Sequence, residues 1–261
     1  MSHITFTMPE WHNFCNAFGL DVDGSLARLK SLKIESLKRE KSKPIMASSL
    51  IPTTLDTIKN AGREWVRKVI KQGITQTAPG SIKYLLFGAR PSQQAISIKF
   101  GKFGEFLAME MIKGLPHLEL LKCGVRCIDK ESKKNKDFDL VWADHEKKII
   151  GYRELKGNIE MDSEKIPATI DKVKKLLEHL TTTSLSGYTI DSGILNWSIY
   201  DRAILTKGKS NIKKCEENGV KVEHMGDFLE TIKFEWNQTD FYDYMKEVGN
   251  MVETGLFANN S

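Results

Sequence analysis

The chain runs to 261 residues, 40% hydrophobic and 28% charged, with a formal net charge of +5 and a pI near 8.8. That is enough chain for a sizeable core, as one domain with an N-terminal elaboration or as two small ones; no apolar run approaches the roughly 20 residues that span a bilayer, and the start lacks the basic-then-apolar layout of a secretory signal. The mild positive charge permits a polyanionic partner without requiring one, and the scattered Cys15, Cys123, Cys127 and Cys215 argue against structural zinc and for a reducing intracellular compartment.

Residues 1–90 read as a mainly helical N-terminal region serving dimerisation or DNA contact. Its basic segment, Arg28 through Lys43 with Leu29, Leu32 and Leu37 interleaved, is a solvated amphipathic helix or an arm that touches phosphates or a partner subunit. Helical periodicity covers 54–73, where Leu55, Ile58, Trp65, Val66 and Val69 form one broad face, and a loop follows at 77–81. A second helix is expected from Gln94 to Met111 on Phe103, Phe106, Leu107 and Met111, stopped by Gly114-Leu115-Pro116.

Three strand-like segments come next, at Leu118–Cys127, Phe138–Ala143 and Ile149–Leu155, separated by a polar run at 129–137 and a turn at 144–148. A helix through Asp171–Leu180 has Ile170, Val173, Leu176, Leu177 and Leu180 facing inward. A strand at Ser198–Leu205, a helix near Ser210–Asn218 and a short strand at Val220–Glu223 complete the pattern. Helix, three-strand meander, helix and strand make a mixed α/β domain spanning 91–261, a central mixed sheet flanked by helices.

Chemistry concentrates at two adjacent strand ends. Fourteen residues separate Asp139 from Glu154, which opens Glu154-Leu155-Lys156. Alternate strand residues share a face, so Glu154 and Lys156 point one way and Leu155 into the core. A tight turn brings Asp139 beside them. Mg²⁺ takes one or two carboxylates plus waters and phosphate oxygens, the Leu155 carbonyl being a further candidate ligand, and the bound ion acidifies its water and offsets developing charge. Lys156 can polarise the attacking water.

The alternative is a salt-bridged strand end with no ligand. Two other Glu-x-Lys triplets, at Glu131 and Glu146, fall in a charged run and a turn; only the third ends an apolar strand beside another carrying an acid. Asp137 shares a strand face with Asp139 and stays open as the ligand. The histidines His117, His145, His179 and His224 lack zinc-site spacing, and no phosphate-binding loop for a nucleotide cofactor is present. Cys123 and Cys127 read as buried small residues on a strand, and Trp197 and Tyr200 as packing residues or an aromatic wedge.

Asp-Phe-Asp-Leu-Val followed by Glu-Leu-Lys resembles the PD-(D/E)XK nuclease superfamily, type II restriction endonucleases in particular, over roughly 94–205; nothing in 1–80 carries a resemblance. The stretches 94–101 and 156–165 resemble segments flanking the site in such enzymes. Lys136 stands where the superfamily's variable proline would precede the acid.

The resemblance implies a restriction-endonuclease-like core, metal held by Asp139 and Glu154, water activation by Lys156, and Glu105 orienting the site or binding a second ion. Glu105 read without the resemblance is an exposed helix acid. Ser97 and Lys99, then Asn158, Asp162, Ser163 and Lys165, are placed to contact DNA. Plainer readings are a helix-start serine for Ser97, a solvated lysine for Lys99, and a helix cap for Asp162 or Ser163.

The leading expectation is a Mg²⁺-dependent type II endonuclease. It cuts double-stranded DNA at a short specific site, as a homodimer matching a symmetric target, with no membrane and no nucleotide cofactor. The alternatives are a structure-specific repair or recombination nuclease and a non-catalytic DNA-binding module.

Overall fold

A computed structural model describes residues 52–129, 134–158, 163–183 and 187–257. The basic segment 28–43, Asp162 and the Glu131 triplet lie outside the described residues.

Helix α1 (Pro52–Gln72) is followed by α2 (Ile82–Phe87) and α3 (Gln93–Gly114). Ser92 caps α3 by accepting from the Ala95 amide, and the helix ends at Gly114 as expected. Strands β1 (Leu118–Leu120), β2 (Gly124–Asp129), β3 (Lys134–Phe138), β4 (Leu140–Asp144) and β5 (Ile149–Lys156) lead into α4 (Ile166–Thr183). The rest is β6 (Thr189–Asn196), a 3₁₀ turn at Arg202–Ile204, α5 (Lys209–Glu217), β7 (Lys221–His224), α6 (Met225–Ile232) and α7 (Gln238–Phe257).

The main sheet has five strands in the order β1-β4-β5-β6-β7. The first three form the expected antiparallel meander, whereas β5, β6 and β7 run parallel. The parallel steps need crossovers, and α4 and α5 provide them. This is a mixed sheet flanked by helices.

Three sequence expectations change. The segment expected as one strand at 118–127 divides: β1 pairs with β4, while β2 turns away to pair with β3. The stretch at 129–137, expected as a polar separator, supplies β3; its charged Lys-Asn-Lys-Asp survives there because this hairpin is two-stranded and its Asn135 and Asp137 are exposed. The strand expected at 198–205 is instead a turn and the 3₁₀ segment, and the buried strand lies upstream at 189–196. Asp191-Ser192-Gly193 disguises it, because these polar and small residues carry little strand propensity. Gly193 is required by packing: a Cβ there would sit 2.7 Å from the Lys221 carbonyl of β7.

The sheet separates two apolar layers. Val141, Ala143, Ile150, Tyr152 and Ile194 meet Ile170, Val173, Leu176 and Leu180 of α4. On the other face, Leu140, Trp142, Leu155 and Leu195 meet Phe103, Leu107 and Met111 of α3, with α1, α6 and α7 completing that layer. Helix α1 thus shares its core with α3 and α7. Among the described residues no helix is long and apolar enough to cross a membrane.

Candidate active site

The β4–β5 register pairs Leu140 with Arg153, and one step further places Asp139 opposite Glu154. Alternation then sends Glu154 and Lys156 to the α4 side with Tyr152, while Leu155 enters the α3 layer. Both acids sit at the carboxyl end of β5, on the edge where ligands bind in open α/β sheets. On the same rung, Lys156 is followed across the sheet by Asn196 and His224.

Each carboxylate oxygen has an assigned neighbour. Asp139 Oδ2 accepts from the Leu155 amide at 2.9 Å. Glu154 Oε1 accepts from Lys156 Nζ at 2.8 Å, and its Oε2 accepts from the Tyr152 hydroxyl at 3.1 Å. The remaining oxygen of Asp139 and Oε2 of Glu154 face one cation, Lys172 Nζ, at 3.4 and 2.5 Å. Glu154 is 2% exposed and relies on these partners to offset its lost hydration.

Two acids this close do not ionise equally. Burial and the neighbouring Glu154 charge push the Asp139 carboxyl up to about 7 despite Lys172 and the Leu155 amide. Glu154 shifts the other way: burial opposes its charge, but Lys156 and Lys172 outweigh it and hold it below its usual range. Of the two acids, Asp139 is therefore the one that takes up a proton more readily. Burial also pushes Glu105 up, helped by Asp137 and Glu154 and opposed chiefly by Lys102.

The geometry brings Asp139, Glu154 and Lys156 together as the sequence expects. Of the two aspartates, Asp139 is the one set beside Glu154; Asp137 lies exposed on β3 opposite Val125. Glu105 is half-buried on α3, close enough for its charge to be felt at Asp139 and Glu154. It does not complete a ligand trio: among the described residues no three His, Cys, Asp or Glu side chains converge on one ion position. Lys172, unanticipated from sequence, is the added member.

The donor set fits a hard divalent cation. Two carboxylate oxygens face a single point already held by an ammonium cation, and all the donors are oxygen. The Leu155 amide points to Asp139, and in a strand the carbonyl of a residue points to the same side as its amide, so the Leu155 carbonyl faces the β4 side of the strand as well.

The expected DNA contacts scatter more widely. Ser97 is exposed but lies within α3, not at its start, the cap being Ser92; Lys99 lines a groove of about 380 Å³ with Gly73, Ile74 and Ile98. Asn158 and Lys165 are exposed beyond β5. Ser163 is exposed and its hydroxyl accepts from Asn211 of α5 at 3.0 Å. It stands three residues before α4 instead of at its cap.

Surrounding packing fixes the site. A Cβ on Gly104 would lie 2.2 Å from the Trp197 ring, so the missing side chain lets the indole lie against α3 beside Glu105. Tyr200 also packs, donating from its hydroxyl to the Trp236 carbonyl. Cys123 lies in the bend between β1 and β2 rather than on a strand, its thiol directed at the Leu121 carbonyl. Behind Glu154, Arg153 is fully buried under Trp142, donating to Glu223 at 2.5 Å and Asp191 at 2.6 Å. Comparison with protein-family models, curated proteins and solved structures finds no match for the chain.

Proposed function

We propose that the chain is a Mg²⁺-dependent endonuclease that hydrolyses phosphodiester bonds in double-stranded DNA. In its finer form the proposal is a type II restriction enzyme of the PD-(D/E)XK kind, acting as a homodimer on a short symmetric site. One observation carries it: Asp139 and Glu154 present one oxygen each to the same cation position while Lys156 holds the other Glu154 oxygen. The helix, meander, helix and strand order around that site supports the restriction-endonuclease-like core.

Asp139 and Glu154 would hold the ion, with the Leu155 carbonyl on the same side. Bound Mg²⁺ supplies an acidified water and a counter-charge for the phosphoryl oxygens. Lys156 keeps Glu154 ionised and presents an ammonium group beside it, where it can orient the attacking water and meet the charge that builds on phosphate. Tyr152 fixes the Glu154 rotamer from below.

The test is digestion of unmethylated plasmid DNA with and without Mg²⁺, followed by sequencing of the cut ends. Discrete fragments with a shared end sequence support the restriction enzyme. Cutting only at junctions or ends gives the repair or recombination nuclease. DNA binding without hydrolysis under Mg²⁺, Mn²⁺ or Co²⁺ overturns the enzymatic reading and leaves a binding module.

A further inference from the structure

We propose that Lys172 is a built-in competitor for the divalent ion: its ammonium group holds the ion's place between Asp139 and Glu154 until the ion displaces it. The inference rests on the metal-site reading above and names how that site is regulated.

Asp139 Oδ2 is committed to the Leu155 amide and Glu154 Oε1 to Lys156. The oxygens not held by Leu155 or Lys156 are Asp139 Oδ1 and Glu154 Oε2. The latter also accepts from the Tyr152 hydroxyl at 3.1 Å, leaving it a second lone pair, and Lys172 Nζ stands at 3.4 and 2.5 Å from Oδ1 and Oε2. Both contacts belong to one ammonium group, and an ion held by the same two oxygens cannot share that space with it. A cation brought close to this ammonium also meets like-charge repulsion in a partly buried setting, where screening is weak.

Lys172 has a path of withdrawal. It lies in the first turns of α4, and its side chain is 20% exposed, against 3% for Glu154. A long flexible lysine can swing its head toward solvent while its stem stays on the helix. Displaced outward, the ammonium remains near the site's mouth, where a phosphate of the substrate would approach. Lys156 differs: it holds the other Glu154 oxygen, Oε1, and makes no contact with Asp139 that an entering ion would have to replace.

Mn²⁺ titration of the full chain, read by loss of the free-ion paramagnetic signal, tests this without reference to cleavage. Lys172→Gln should tighten Mn²⁺ binding about tenfold or more, the scale of removing one nearby unit charge, whereas Lys172→Arg, which keeps the charge, should not. Adding Asp139→Asn to the glutamine variant should abolish the gain. Should Lys172→Gln fail to fold, amine labelling of the wild-type chain read by mass spectrometry replaces it: labelling at Lys172 should rise when Mn²⁺ is added. Unchanged or weaker binding in Lys172→Gln, or Lys172 labelling that stays level or falls, overturns the competitor role while Asp139-dependent Mn²⁺ binding keeps the metal site. No Asp139-dependent Mn²⁺ binding in any variant overturns both.

Discussion

Asp139 stands opposite Glu154 one rung beyond the last paired residues of β4 and β5, and the two acids share Lys172. Their unequal ionisation sets a pH dependence whose sign can be worked out. Asp139 is raised from 3.8 to about 7, so between those values the folded chain binds more protons than the unfolded chain and loses stability as pH rises. Glu154, held below 4.5, contributes stability that is present above that value and lost as pH falls through its lowered value. The Asp139 effect extends up to about pH 7, whereas the Glu154 effect lies below 4.5. Asp139→Asn should therefore be more stable than wild type at pH 8, by a few kcal/mol at most, with the advantage shrinking at pH 5. Thermal denaturation at both pH values checks it; an advantage that grows toward pH 5 contradicts the assignment.

Removing Lys156 tests chemistry separately from folding. Lys156→Ala takes away a partly exposed ammonium group but also one partner of the buried Glu154 carboxylate, so the melting temperature should fall, while Lys172 and Tyr152 still hold that acid and the chain stays folded. Plasmid cleavage with Mg²⁺ should fall by about 10²–10⁴-fold, the usual contribution of a positioned proton-handling group. DNA retention in a filter assay with Ca²⁺ should persist. Full cleavage by this variant would remove Lys156 from the site.

The buried ion pair behind the site predicts a large stability effect. Arg153 depends on Glu223 for its Nε contact, and both side chains are almost wholly out of water. Glu223→Ala would leave the guanidinium with Asp191 and two carbonyls alone, at a cost of about 3–5 kcal/mol. Asp191→Asn touches the partly exposed end of the same network and should cost about 1 kcal/mol or less. Urea denaturation ranks the two variants, and equal costs would mean the network is not buried as described.

Gly104 and Trp197 should behave as a coupled pair. Gly104→Ala forces a methyl into the indole and should destabilise by about 1–3 kcal/mol. In a Trp197→Leu background the same change should cost markedly less, because the ring that it meets is gone. Additive losses in the double variant, measured by chemical denaturation, would show that the close contact is relieved some other way.

The sequence by itself determined the local pieces: the helices expected at 54–73, 94–111 and 171–180, which form at 52–72, 93–114 and 166–183, the β4–β5 hairpin, and the placing of Glu154 and Lys156 on one strand face. These depend on periods of 3.6 and 2, which are properties of a single segment. It also narrowed the first acid to Asp137 or Asp139, since both fit the alternation. Only the tertiary structure shows which of them lies beside Glu154, because the chain breaks its strand at Asp139 and the β4–β5 register sets that residue against Glu154. Strand β6 was hidden for a related reason: its polar Asp191 and Ser192 are tolerated by neighbours on both sides, one of which supplies Arg153. Lys172 was the least legible. It reads like Lys174 and Lys175 on the same helix, and only the crossing of α4 over the sheet brings that one ammonium group, 33 residues from Asp139, onto both carboxylates.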